Sequence, residues 1–130
     1  MFRILILTAG LVLAGASGAR AQQLLAEYYT LIAGPDLFNS SGARLGSLDA
    51  FLQQDRANFH RFGRAQPEDG WDPLFTSTGA RQAIPQLYAA GGGNPQIEAQ
   101  MRQYGSAFIL VRVWGYGGQP AFLEVYQGAG

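Results

Sequence analysis

The chain reads as an α+β fold: a small antiparallel sheet, built from an N-terminal strand and a C-terminal hairpin, packed against about three helices. Three observations predict it. Leu24 to Ile32 mixes β-branched and aromatic residues and stops at Gly34-Pro35. Ala107 to Trp114 and Ala121 to Tyr126 are two further strand-like runs, separated by the glycine-rich stretch Gly115 to Pro120. The residues between carry helical spacing broken by turn signals. A helical bundle with an attached hairpin is the alternative arrangement.

Residues 1–21 stand apart from this fold. Met1-Phe2-Arg3 is a short positive start, Ile4 to Gly15 is apolar or small except for Thr8, and Ala19 and Ala21 are small residues placed before a cut at Gln22. That layout predicts a secretory signal peptide, export to the periplasm or medium, and a single small globular domain over residues 22–130. An uncleaved anchor is the rival use, but Ile4 to Ala19 is short for a span, which takes roughly 20 residues. No transmembrane anchor is expected after cleavage.

The chain has no cysteine, so disulfides, cysteine-based zinc sites and thiol chemistry are excluded. All nine cations are arginine; losing Arg3 and Arg20 with the leader leaves seven against nine acids, a balance of −2. Such a balance gives no general attraction to nucleic acid or acidic lipid. Nucleic acid is therefore not an expected partner.

Within the mature part, Asn39-Ser40-Ser41-Gly42 marks a turn between Leu37-Phe38 and Leu45. It also matches the N-glycosylation pattern, which the turn reading makes unnecessary. Ser47 to about Arg61 is the strongest helix. Ser47 is placed to cap it, Asp49 suits the dipole in its first turn, and Gly63 is its expected stop. Leu48, Phe51, Leu52 and Phe59 form its apolar stripe.

Gln66 to Gly70 reads as a polar loop. Asp72-Pro73 predicts a short second helix, with Asp as cap and Leu74 and Phe75 docking it, interrupted at Thr76 to Gly79. Arg81 to Ala90 resumes helical spacing through Ile84, Leu87 and Tyr88, with Pro85 confined to a first turn or a kink. Gly91-Gly92-Gly93 breaks the chain, and Asn94-Pro95 starts a helix running to about Tyr104 through Ile97 and Met101.

The hairpin register can be read as well. Setting Arg112 opposite Glu124 sets Val111 opposite Val125 and Val113 opposite Leu123. Ile109, Val111, Val113, Leu123 and Val125 then form a core face, and Leu110, Arg112, Trp114, Phe122, Glu124 and Tyr126 the other. A one-residue slip would mix the two sets. An Arg112–Glu124 ion pair is expected across the strands.

Three constellations could carry chemistry. Asp55 lies on the apolar stripe of the long helix, where a carboxylate must be paired, hydrogen-bonded or neutral. It reads either as a structural clasp or as a general acid or base. Arg56, His60, Arg61 and Arg64 crowd one helix end among aromatics. They read either as partners of the helix dipole or as an anion site for phosphate, sulfate, uronate or nucleic-acid backbone. Trp114, Phe122 and Tyr126 surround Arg112 and Glu124, with Tyr116 in the loop; they read either as packing surface or as a platform for a sugar ring or protein partner.

No nucleophile elbow, phosphate-binding loop or metal-ligand spacing is present, and no cofactor is expected. The leading expectation is an exported, non-catalytic binding module for an anionic or glycan ligand or a protein. A small hydrolase using His60 with Asp55 or Glu68 is the second reading, and a structural envelope component the third.

Overall fold

The computed structural model describes residues 21–128. The signal-peptide reading of residues 1–21 therefore lies outside the described residues apart from Ala21. Three strands make one antiparallel sheet in the order β1-β2-β3: β1 Gln23–Ile32, β2 Ala107–Tyr116 and β3 Gln119–Gln127. The N-terminal strand pairs with the first strand of the hairpin, so β2 is central. This is the expected small α+β architecture.

The register is the expected one: Arg112 faces Glu124, Val113 faces Leu123 and Val111 faces Val125. The hairpin is tighter than the six-residue loop the sequence suggests. Both strands run on to Tyr116 and Gln119, leaving Gly117-Gly118 as a two-residue turn. Their φ values of 56° and 79° lie in the left-handed region that such turns require, which is why glycine occupies both places.

Helix α1 spans Leu48–Ala57 and ends in a wider π turn, Asn58–Phe62, stopped by Gly63 at φ 61°. Ser47 stands at the N-cap in extended conformation, but its hydroxyl makes no cap bond, contrary to expectation. The buried stripe also differs in part. Leu48, Phe51 and Leu52 are buried with Asp55, Arg56 and Asn58, while Phe59 is half-buried.

No helix forms at Asp72-Pro73. Asp72 does cap the chain there, accepting from the Leu74 and Phe75 amides at 2.8 and 2.6 Å, but the segment bends instead of coiling. Helix α2 is Thr78–Gln82, capped by Ser77, and α3 is Ile84–Ala90 with Pro85 in its first turn. Helix α4 is Pro95–Tyr104, with the Asn94 side chain accepting from Ile97 N.

The helices bury their apolar sides on one sheet face. Ile109, Val111, Val113, Leu123 and Val125 join Leu52, Ile84, Ile97 and Phe75 in a single core. Both sheet edges are blunted. Gly91 lies so close to β3 that a Cβ there would sit 1.8 Å from the Leu123 carbonyl oxygen, and Asn94 donates to Val125 O at 2.7 Å. On β1, Gly70 N donates to Tyr29 O at 2.7 Å and Asp69 accepts from Leu31 N at 2.9 Å. These contacts satisfy edge groups that would otherwise invite another strand. Among the described residues, no helix is long and apolar enough to cross a membrane.

Candidate functional site

Two features collect the residues the sequence singles out: a buried ionic network under β1 and the uncovered face of the sheet.

The network centres on Arg56, whose position on α1 points it inward beside Asp55. Its Nε donates to Asp55 Oδ2 at 2.8 Å, and its Nη1 to Asp72 Oδ1 and Gly70 O, each at 2.9 Å. Nη2 donates to Thr30 Oγ1 at 3.2 Å. The guanidinium also lies 4.1 Å from the centre of the Tyr28 ring and 4.7 Å from that of Phe59. Arg56, Asp55 and Asp72 are all wholly buried. A buried charge survives only when paired and hydrogen-bonded, and this one is both.

His60, on the π turn, reaches Asp72 Oδ1 with Nε2 at 2.7 Å and is almost wholly enclosed. Burial works against an ionised Asp72. Hydrogen bonds from His60, the Phe75 amide and Arg56 outweigh it and hold the carboxyl below its usual range. Asp55 differs. Burial, the largest influence, pushes its carboxyl up to about 7, against the opposing pull of Arg56. Burial likewise raises Asp36, in the turn Gly34–Leu37, to about 6 against hydrogen bonds from Asn58 and Ala33.

The sequence-predicted anion cluster is therefore divided. Arg56 and His60 face inward and are committed to carboxylates, so they cannot serve an external anion. Arg61 and Arg64 are exposed and lie over the Phe62 ring at 5.1 and 5.9 Å. The expected catalytic pairing is corrected too. His60 pairs with Asp72 rather than Asp55 or Glu68, and Glu68 is exposed in the loop. A cleft of about 470 Å³ near Arg44 and Arg102, and one of about 280 Å³ beside Arg61 and Phe62, have no lining from Asp55 or His60. Among the described residues no three His, Asp or Glu side chains are arranged to hold a metal ion. Arg56 and Thr30 stand between the carboxylates.

The network's other members are not singled out by the sequence: Thr30, Asp69, Asp36, Asn58 and Tyr28. The signal that could find them is alternation along β1. Ala26, Tyr28, Thr30 and Ile32 share a parity, so Thr30 and the Tyr28 hydroxyl must point into the core.

Among the described residues no helix packs on the other sheet face, where Leu110 is buried and Trp114 and Phe122 are half-buried between their neighbours. Its side chains form cross-strand rows set by the register. Leu24, Trp114 and Phe122 make one row, Glu27, Arg112 and Glu124 the next, and Tyr29, Leu110 and Tyr126 a third. Leu31 and Phe108 begin a fourth. Tyr29 is 42% and Tyr126 39% exposed. Tyr29 stacks on Phe108 with ring centres 5.6 Å apart.

Arg112 pairs differently from the expectation. It reaches Glu27 Oε2 on β1 at 2.9 Å, while Glu124 accepts from the Tyr126 hydroxyl at 2.7 Å. The central strand has an acid on each side, and the hairpin taken alone contains only one of them. Tyr116 stands at the hairpin tip, 39% exposed.

Comparison with protein-family models, with curated proteins and with solved structures finds no match for this chain.

Proposed function

We propose that the chain is an exported binding module whose uncovered sheet face recognises a neutral polysaccharide. The observation that carries this reading is the row pattern: a charged stripe, Glu27–Arg112–Glu124, between aromatic rows bearing Trp114 and Phe122 on one side and Tyr29 and Tyr126 on the other. A sugar ring presents an apolar C–H face and a rim of hydroxyls. Aromatic rings suit the first, and carboxylates or a guanidinium held in place by neighbours suit the second. The stripe carries two acids and one base, which disfavours an acidic polysaccharide.

The same stripe argues against a second copy. A twofold axis lying along or across the strands through Arg112 would lay Arg112 on itself. It would also set Glu27 against Glu27 or Glu124. Like charges pressed together in an interface cost several kcal/mol.

The test is affinity electrophoresis and tryptophan fluorescence with neutral and acidic polysaccharides. Neutral chains should retard the protein. Trp114→Ala and Tyr126→Ala should each weaken that retardation at least tenfold, and the exposed Trp71→Ala should leave it unchanged. The paired change Arg61→Ala with Arg64→Ala should also leave it unchanged. Binding that prefers sulfated or uronic chains and disappears with the Arg61 and Arg64 changes would transfer the site to the helix end. Absence of binding to every polysaccharide would overturn the reading.

A further inference from the structure

We propose that Asp55 and Asp69 share one proton through the Thr30 hydroxyl, and that this proton latches the 64–72 loop to the edge of β1. The basis is the geometry of a single oxygen. Thr30 Oγ1 lies 2.7 Å from Asp55 Oδ1 and 2.9 Å from Asp69 Oδ1, and it receives Arg56 Nη2 at 3.2 Å. A hydroxyl has one hydrogen to give and two lone pairs to fill. If both carboxyls are ionised, its hydrogen serves one of them, and the other contact sets lone pair against lone pair at hydrogen-bond distance. If one carboxyl carries a proton, every contact is a hydrogen bond.

The donors identify which carboxyl holds it. Asp69 already accepts from two amides, Leu31 N at 2.9 Å and Gln66 N at 2.8 Å, so both of its oxygens are engaged as acceptors. Among the described residues Asp55 Oδ1 meets only Thr30, within a wholly buried site. The chain therefore runs from Asp55 Oδ1–H to Thr30 Oγ1, and from Thr30 O–H to Asp69 Oδ1. Thr30 then gives one bond and takes two.

The charged and titratable groups around it agree. Arg56 comes from α1, His60 from the π turn, Asp36 from the turn after β1, Asp69 and Asp72 from the loop, and Tyr28 from β1 itself. Four carboxyls thus share one guanidinium and one imidazole. A neutral Asp55 removes part of that excess, and burial with the neighbouring Asp36 and Asp69 raises its carboxyl in the same direction.

Losing the proton has a local consequence. Asp69 is the side chain that holds the loop to Leu31 N, and Gly70 beside it donates to Tyr29 O. Repulsion between Asp55 and Asp69 therefore opens the loop from this edge. The latch does not depend on what occupies the outer sheet face.

The experiment uses the unaltered protein. Carboxyl carbon NMR follows Asp55, and amide hydrogen exchange follows Leu31 and Gly70 from pH 5 to 9, after correction for the intrinsic base-catalysed rate. Asp55 should titrate near neutrality, and the protection of both amides should fall roughly tenfold from pH 6 to pH 8, as one proton linked to opening requires. Asp55→Asn, whose amide still donates to Thr30 without ionising, should flatten that fall. An Asp55 carboxyl titrating in the ordinary range, about 4, would overturn the proposal. Protection of Leu31 and Gly70 that is constant across pH 6–8 in the unaltered protein would do so equally.

Discussion

Replacing Arg56 by Met is the most direct probe of what holds this fold together. The change keeps an unbranched stem and deletes the guanidinium, with its bonds to Asp55, Asp72, Gly70 and Thr30 and its place over Tyr28. The two orphaned carboxyls respond differently. Asp55 leaves little charge behind, since it keeps the proton it gives to Thr30 and its carboxyl, already raised to about 7, is pushed further up once Arg56 is gone. Asp72 remains ionised, because the Leu74 and Phe75 amides and His60 continue to favour its charge.

The cost is therefore mainly that of one uncompensated buried charge, about 3–5 kcal/mol. A domain of this size has only about 5–15 kcal/mol in hand. At roughly 4–8 °C per kcal/mol, the melting temperature should fall by about 12–40 °C. Circular dichroism melts at pH 7 measure it. Adding Asp72→Asn to Arg56→Met removes the orphan charge and should recover at least about 1 kcal/mol, the usual scale of coupling between contacting residues. A fall of under about 5 °C for Arg56→Met, or a loss that Asp72→Asn leaves unchanged, would refute the reasoning.

Two further outcomes are expected. Gly91→Ala should destabilise strongly, because its Cβ would meet the Leu123 carbonyl oxygen at 1.8 Å and force the α3 terminus off β3; a melting temperature within about 3 °C of the parent's, on the same scale, would contradict that packing. The protein should also be more stable near pH 5 than near pH 8. Asp55 and Asp36 have carboxyls raised to about 7 and about 6, so their stabilising contribution is complete below about pH 4 and lost as pH rises through those values. Asp72 is lowered, so its contribution is present above about pH 4 and lost on acidification. A melting temperature that stays level or climbs from pH 5 to pH 8 would count against the raised pair.

Much of the fold is legible in the sequence because its signals are local. Hydrophobic parity sets the register of β2 and β3, and Asn94-Pro95 marks the start of α4, where Asn94 does cap. Asp72-Pro73 misleads because cap chemistry and helix propagation are separate. Asp72 satisfies two amides, but Pro73 to Phe75 is followed by a bend, not a turn of helix. The ionic network is only half legible. Asp55 on an apolar stripe announces that a partner must exist. Its partners are an adjacent residue, Arg56, and a threonine 25 residues away on β1, and the latter pairing arises only once sheet and helix have docked. Arg56 itself reads as a surface cation because arginine on a helix end is ordinarily solvated. Its burial follows from acids supplied by its own helix and by the loop that crosses above it.

The buried network and the uncovered sheet face meet in the register of β1. That strand has apolar or aromatic residues of both parities: Tyr28 and Ile32 on the core side, Tyr29 and Leu31 on the other. Hydrophobicity alone discriminates poorly between its two faces, and a bulge between Leu24 and Ala26 shows that its pairing tolerates irregularity. Thr30 breaks the tie. A one-residue slip would set Tyr29 or Leu31 against Asp55, Asp69 and Arg56, leaving buried charged groups without their hydroxyl. It would also turn Glu27 into the core beneath the helices. Both errors carry the penalty of unpaired buried polar groups. Polar groups beneath the sheet thus decide which side chains appear above it, including Glu27 beside Arg112 and Tyr29 beside Phe108. In a chain with no cysteine to fix its strands, the ionic cluster supplies that specification, and any ligand the outer face binds meets a surface whose pattern is set from within.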